Sequence, residues 1–468
     1  MLHVSAPIAR DRFVGLEVRV PTLDGSHVPY INFDNAASTP PLAAVRDGVN
    51  HFLDYYASVH RGTGFKSQLS TWAYERARAA ALEFVGAGSS SHTCIFGKNT
   101  TEAINKLAHR LGLGPNDVVL TTAMEHHSDD LPFRGVAKVV HAGLLPDGRL
   151  DGEDFERKLA SHRGEIRLVA VTGASNVTGY LNPIHDMAEM AHASGALILV
   201  DCAQLAPHRR VDVLTLDDPA HLDFVALSAH KMYAPYGTGA LIGRRDVFET
   251  GEPDMRGGGT VEIVTLDHVT WSPPPERDEA GSPNVVGAVA LGIALRELLT
   301  IGMQAVAEHE AHLTAHALTQ LARVPGVRIY GDSDPARAHE RLGVIPFEVQ
   351  GLSHFMVAAI LGYEFGMGVR SGCFCAHPYL LHLLGLEDEE AMDVRRQIER
   401  SDRSLMPGLV RMSFGLYNTI DEVDRFIEAL ARISRGEYKG HYVQDQTSGE
   451  YRAPDWSPDF GAFLERRM

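Results

Sequence analysis

Lys231 stands in "LSAHKMYAPYGTG", Leu227 to Gly239, where a short apolar run gives way to an aromatic, proline and glycine turn. An amine at the end of a buried strand is taken out of water. That disfavours its charged form, lowers its pKa from about 10.4 and leaves it nucleophilic enough to form an imine. Alone, such a lysine is more simply a solvated side chain. Four other stretches place polar residues where apolar runs close. "CIFGKNTTEAINKL" passes through a glycine turn into a helix whose start holds Thr100, Thr101 and Glu102. Free N–H groups and hydroxyls there suit a phosphate, and the plain alternative is that Thr100 or Thr101 caps the helix. "LTTAMEHHSDD" sets His126 and His127 at a strand end. No third ligand at recognisable spacing follows, which favours a stacking or hydrogen-bonded ring over a metal ligand. "ILVDCAQLAPH" places Asp201 directly after its run with Gln204 three residues on, where a lone carboxylate is more often a turn residue. The fifth stretch, "VRSGCFCAHP", carries Cys373 and Cys375.

The first four stretches together describe a pyridoxal phosphate site. That cofactor needs a lysine for its Schiff base, an acid to keep its pyridine nitrogen protonated and donors for its phosphate. Lys231, Asp201 and the Thr100–Thr101 turn supply one of each.

These residues need elements to hold them. "HTCIF", "DVVLTT", "AKVVHA", "IRLVAVT", "ALILVD", "DFVALS" and "GALIGR" are short apolar runs that alternate with helical stretches such as Ser70 to Val85 and Ile184 to Ala193. Continuous rather than alternating apolar runs fit strands covered on both faces, so the fold class is α/β with a mainly parallel seven-stranded sheet. In such sheets ligands bind beyond the carboxyl ends of the strands, where the polar residues above stand. After about Ala290 the pattern changes to one long helical stretch, then "VRIYGD", "LGVIPFEV", the Cys375 segment, "LVRMSFGLYNT" and a helix from Ile420 to Ile433, which reads as a smaller α+β domain. The expected division is an N-terminal segment, 1–35, packing with the small domain, a large cofactor-binding domain, 36–300, the small domain, 301–436, and a C-terminal extension, 437–468.

The 468 residues carry 60 acidic against 43 basic side chains, a net charge of -17 that opposes binding to a nucleic-acid backbone. No apolar run approaches the roughly 20 residues of a membrane span, and the first residues lack the pattern of a secretion signal, so a cytoplasmic protein is expected. Four cysteines make no disulfide framework.

The ordered stretches "INFDNAAST", "SVHRG", "KNTTEAIN", "MEHHS", "VDCAQ", "SAHKMYAPYGTG", "EAGSPN" and "RMSFGLYNT", from about Phe33 to Ile433, resemble the class V aminotransferases, and most closely their cysteine desulfurase and selenocysteine lyase branch. The resemblance implies a fold-type I pyridoxal phosphate transferase. It implies that Lys231 carries the cofactor, Asp201 pairs with the pyridine nitrogen, Gln204 binds the phenolic oxygen and His126 stacks on the ring. Thr100, Thr101, Ser228 and His230 would hold the phosphate. Ser282 would reach the phosphate of a neighbouring subunit, implying a homodimer with shared sites. Arg411, with Arg370 and Asn176, would bind the substrate, Arg411 clamping its α-carboxylate.

In desulfurases of this branch an R-x-G-x-x-C-A pattern carries the nucleophilic cysteine, and here Arg370, Gly372, Cys375 and Ala376 align with it. Where the best-known members have two histidines, this chain has Cys373 and Phe374. The implied reaction takes sulfur from cysteine, leaving alanine and a persulfide on Cys375, with a sulfur-acceptor protein as a further partner. Cys373 and Cys375 also fit half a metal site or a redox pair, but without a second Cys or His pair at ligand spacing no metal is expected. Cys375 also fits a small buried apolar group. A transaminase, lyase or epimerase with an idle Cys375, and a non-catalytic cofactor-binding protein, stay open.

Overall fold

The computed structural model describes residues 8–386 and 388–464. The first seven residues of the expected N-terminal segment and the last four of the extension lie outside the described residues.

The seven apolar runs form one sheet. Its strands are β1 (His92–Gly97), β2 (Val118–Thr122), β3 (Lys138–Ala142), β4 (Ile166–Thr172), β5 (Leu197–Asp201), β6 (Phe224–Ser228) and β7 (Gly239–Arg244). They lie in the order β1-β7-β6-β5-β4-β2-β3. The five from β2 to β6 run parallel, and β7 is antiparallel to both its neighbours. Every residue of β2 and β6 is buried. The reason is visible in the core: Val169, Val171, Ile198, Val200, Val225 and Leu227 enter one apolar cluster, while Leu168, Ala170, Leu199, Phe224 and Ala226 enter another. Alternate side chains of each strand thus feed opposite faces, and both faces are covered. Helices α1 (Phe65–Phe84) and α2 (Thr100–Arg110) lie on opposite sides, with α3 (Ile184–Ala193) on the same side as α1.

The expected long helix after Ala290 is two. Helix α4 (Val285–Ile301) stops at Gly302, whose φ of 89° only glycine adopts readily, and α5 (Met303–Leu321) leaves at 76°. Among the described residues no single helix is long and apolar enough to cross a membrane.

A second, antiparallel sheet follows, of β8 (Val327–Ile329), β9 (Val344–Val349), β10 (Arg370–Gly372) and β11 (Leu409–Ser413), in the order β8-β9-β11-β10. Its apolar face, including Val410 and Met412, packs on α5, α6 (His354–Phe365) and α7 (Ile420–Ser434). Thr419 starts α7 with a capping box, its hydroxyl accepting from Glu422 N–H while the Glu422 carboxylate accepts from Thr419 N–H. The opposite face of β11 presents Arg411 toward the large sheet: its guanidinium donates to the Asn176 carbonyl, just beyond β4, at 2.8 Å. The two sheets therefore meet where β4, β5 and β6 end.

Candidate active site

A cleft opens at that junction, lined by Thr172, Asp201 and Ser228 from the ends of β4, β5 and β6, by the start of α2, by Arg370 and Arg411 from the second sheet, and by Cys375 in the turn after β10. Of the residues singled out in the sequence, Thr100, Thr101, His126, Asn176, Asp201, Gln204, Ser228, His230, Lys231, Arg370, Cys375 and Arg411 all line it. Ser282 is exposed and is not among the lining residues of its own chain's cleft.

The phosphate-like end is built at α2. Its cap is Asn99, whose side chain accepts from Glu102 N–H at 3.0 Å, so neither threonine is spent on the capping role considered above. Thr100 Oγ1 is buried with no protein partner, and Thr101 Oγ1 lies 2.6 Å from Ser128 Oγ. The turn is pressed against β7. A Cβ on Gly239 would lie 2.5 Å from the Asn99 carbonyl carbon and 2.8 Å from the Leu227 oxygen, so only glycine lets that strand approach.

Lys231 ends the short turn after β6. Burial pulls its amine from 10.5 down to about 8, with the positive charge of Arg411 adding to the effect and Asp201 opposing it. Asp201 Oδ1 accepts from Ala203 N–H at 2.8 Å, and burial still raises its carboxyl above the ordinary range. His126 is held down to about 3 by burial and by Lys231. Its Nδ1 accepts from Ser128 N–H at 3.1 Å, which puts the ring hydrogen on Nε2 and leaves a neutral, flat face. His230 is likewise kept neutral, at about 4. Gln204 donates one amide hydrogen to the Ala36 carbonyl at 2.7 Å and keeps a second.

The opposite wall carries charge. Arg370 and Arg411 face each other across the β10–β11 pair, and Asp34 lies between them, 3.8 Å from Arg370 and 3.2 Å from Arg411. Arg411 is 2% exposed, rests on the Phe374 ring at 4.8 Å, and its Nε has no protein partner. Beside it Phe374 and Cys375 both take left-handed backbone, φ 53° and 55°. Such a conformation costs roughly 1–3 kcal/mol per residue and persists only where surroundings impose it. Here Asn176 Nδ2 donates to the Phe374 carbonyl at 2.6 Å and His127 N–H to the Cys375 carbonyl at 2.8 Å. The result turns Cys375 outward: it is exposed at the cleft, not the buried apolar group that free cysteines usually are, while Cys373 is buried with its thiol on the Pro407 carbonyl.

The sequence reading did not single out Asn99, Ser128, Asp34 or Phe374 as site residues. Asp34 follows residues 31–33, a short run broken by Asn32 and so a weaker form of the signal that marks Asp201; Phe374 acts through a stack on the sequence-distant Arg411 that no local pattern announces. Behind the cleft Glu125 and Asp129 are buried together, each carboxyl pushed up by burial first and then by nearby negative charge, that of Asp201 on Glu125 and those of Glu125 and Asp201 on Asp129. The residues of the cleft fit pyridoxal phosphate. They offer a depressed amine, an acid one strand away, a neutral imidazole face, and an unpartnered hydroxyl at a helix N-terminus.

The family described as aminotransferase class-V matches residues 31–426. A protein of Halalkalibacterium halodurans named "Probable cysteine desulfurase" is 35% identical over 422 residues, 88% of this chain and 95% of the other. A "Cysteine desulfurase" of Dickeya dadantii is 36% identical over 424 residues, 88% and 94% of the two chains. Among solved structures, the cysteine desulfurase of Thermococcus onnurineus NA1 superposes with a TM-score of 0.75 at 34% identity, covering 87% of this chain and 95% of that one.

Proposed function

This chain belongs to the aminotransferase class-V family, and within it we propose a pyridoxal phosphate-dependent cysteine desulfurase that converts cysteine to alanine and leaves the sulfur on Cys375. The observation that carries the reading is the outward-turned Cys375, set on the rim of the cleft that also holds Lys231, Asp201 and Arg411. The relatives named cysteine desulfurase support it.

Lys231 would carry the cofactor, His126 would lie on its ring, Asp201 would face the ring nitrogen and Gln204 the phenolic oxygen, and Thr100, Thr101, Ser228 and His230 would hold the phosphate. When bound, the cofactor supplies an electron sink for negative charge at the substrate Cα. Arg411 binds the α-carboxylate, with Arg370 and Asn176 beside it. The Lys231 amine, free base in half or more of molecules from about pH 8 upward, takes the proton from Cα. As a thiolate, Cys375 then bonds to the substrate sulfur while the C–S bond breaks; the bond's electron pair goes to Cβ, which is protonated, and Lys231 returns the proton to Cα to give alanine. The charges of both Lys231 and Arg411 reach the Cys375 sulfur.

The finer division into a large part, 36–300, and a small part, 301–436, belongs to this reading. So does a homodimer, in which exposed Ser282 serves the partner's phosphate. A cytoplasmic enzyme with an acceptor protein for the persulfide completes it.

The test is product analysis with cysteine. Wild type should give alanine and a persulfide that mass spectrometry places on Cys375. Cys375→Ser should keep the visible absorbance of the bound cofactor and stop alanine release, and Cys373→Ser should keep most of the rate. Alanine at the wild-type rate from Cys375→Ser, or pyruvate or racemised amino acid from wild type, would transfer the assignment to a lyase, transaminase or epimerase.

A further inference from the structure

At the other end of β6 from Lys231, three side chains converge. His192 lies in the last turn of α3, His221 and Asp223 precede β6, and one ring nitrogen from each histidine and one carboxylate oxygen lie within 4.8 Å of one another. His192 Nε2 is 2.9 Å from Asp223 Oδ2, His221 Nε2 is 3.3 Å from Oδ1, and the rings stack at 4.1 Å. The opposite edges of the rings fix where the hydrogens are. His192 Nδ1 lies 2.7 Å from the Pro219 carbonyl and His221 Nδ1 2.7 Å from the Asp218 carbonyl. A carbonyl only accepts, so each Nδ1 carries a hydrogen and each neutral ring turns a lone pair at Nε2 toward the carboxylate. Two lone pairs and an anion then share one small space. Arg244 reaches one oxygen of that carboxylate at 3.2 Å and leaves the two ring lone pairs unmatched.

We propose that His192, His221 and Asp223 bind one zinc ion, with a fourth position open to solvent. Donors about 2.0–2.1 Å from tetrahedral zinc stand roughly 3.3 Å apart, and each histidine already lies at such a separation from one carboxylate oxygen, His192 2.9 Å from Oδ2 and His221 3.3 Å from Oδ1, so a small turn of the carboxylate brings one oxygen to both. The two carbonyls on Nδ1 and the Ile198 N–H on Asp223 Oδ2 at 2.8 Å are the outer contacts that orient such ligands. Arg244 is the competitor, 3.2 Å from Asp223 Oδ1, but Asp246 already holds it at 3.1 and 2.7 Å, so it keeps a counterion when Asp223 turns to the metal. His192 is partly exposed, which gives the ion a way in. No local spacing announces the site, since helix α3 brings one ligand to an H-x-D pair 31 residues away at its far end. The ion staples the end of α3 to the start of β6, so its effect is on stability, not on turnover.

The test is zinc titration of chelator-treated holoenzyme by calorimetry, with His192→Gln and His221→Gln beside wild type. Wild type should bind one zinc per chain and melt at a higher temperature with it. Either variant should bind more than about 100-fold more weakly, since losing even an outer contact costs 10–100-fold. Their zinc-free alanine production should equal that of wild type. Cobalt in the wild type should absorb as a tetrahedral nitrogen and oxygen site without a thiolate band, a reading that does not depend on the variants folding. Absence of zinc binding, wild-type affinity in either variant, or a thiolate band would overturn the site.

Discussion

Replacing Lys231 by methionine in the cofactor-free protein should make it more stable. Burial brings the amine from 10.5 to about 8, a difference of about 2.5 pH units. Between those values the unfolded chain holds a proton that the folded chain has released. Stability therefore rises with pH across that window, and the full penalty is felt below pH 8. At about 1.4 kcal/mol per unit the lysine costs roughly 3 kcal/mol at pH 7. Methionine keeps the unbranched stem without the charge. Asp201 loses the cation that opposes its own upward shift, which returns part of the gain, so about 2–3 kcal/mol is expected at pH 7. Urea unfolding of both proteins from pH 6.5 to 10.5, followed by circular dichroism, reads the difference directly; the pH limits are set by the interval of about 8 to 10.5. The advantage of methionine should be constant up to about pH 8 and shrink toward zero by about 10.5. A pH-independent difference, or a less stable methionine variant at pH 7, would show that the amine is not desolvated and that its role as a base is misread.

Arg411→Lys should raise KM for cysteine about 10–100-fold while leaving cofactor absorbance intact, because an ammonium cannot make the paired bonds of a guanidinium; an unchanged KM would remove Arg411 from substrate binding. Gly239→Ala places a methyl against the Asn99 backbone and should cost about 1–3 kcal/mol and loosen cofactor retention, read by thermal melting and dialysis, whereas a neutral result would mean the turn can give way. Asp201→Asn should retain cofactor and lose about 100-fold or more in turnover, and near-normal turnover would exclude the acid from the chemistry.

The large sheet was legible because both faces of its inner strands are buried, which writes them as nearly continuous apolar runs. All seven runs became strands, and the polar residues ending β4, β5 and β6 line one cleft. Less legible was whatever depends on one backbone angle or on neighbours far along the chain. Gly302 splits an otherwise continuous helical pattern by a φ that composition does not reveal. Asn99 takes the cap that the threonines beside it could equally have filled. Asp34 gains its meaning from two arginines more than 300 residues later. The outward aim of Cys375 depends on Asn176 and His127, and neither lies near it in sequence.

The register of β11 gives Arg411 a second consequence, for how the chain finds its fold. Val410 and Met412 face the helices and Arg411 faces the cleft. A slip of one residue against β9 and β10 would reverse all three, driving a guanidinium into the apolar layer under α6 and α7 and a methionine into the cleft. A buried, unpaired guanidinium is costly enough that such a pairing rejects itself during assembly. The side chain that holds the substrate thereby also marks the one alignment in which the second sheet can close.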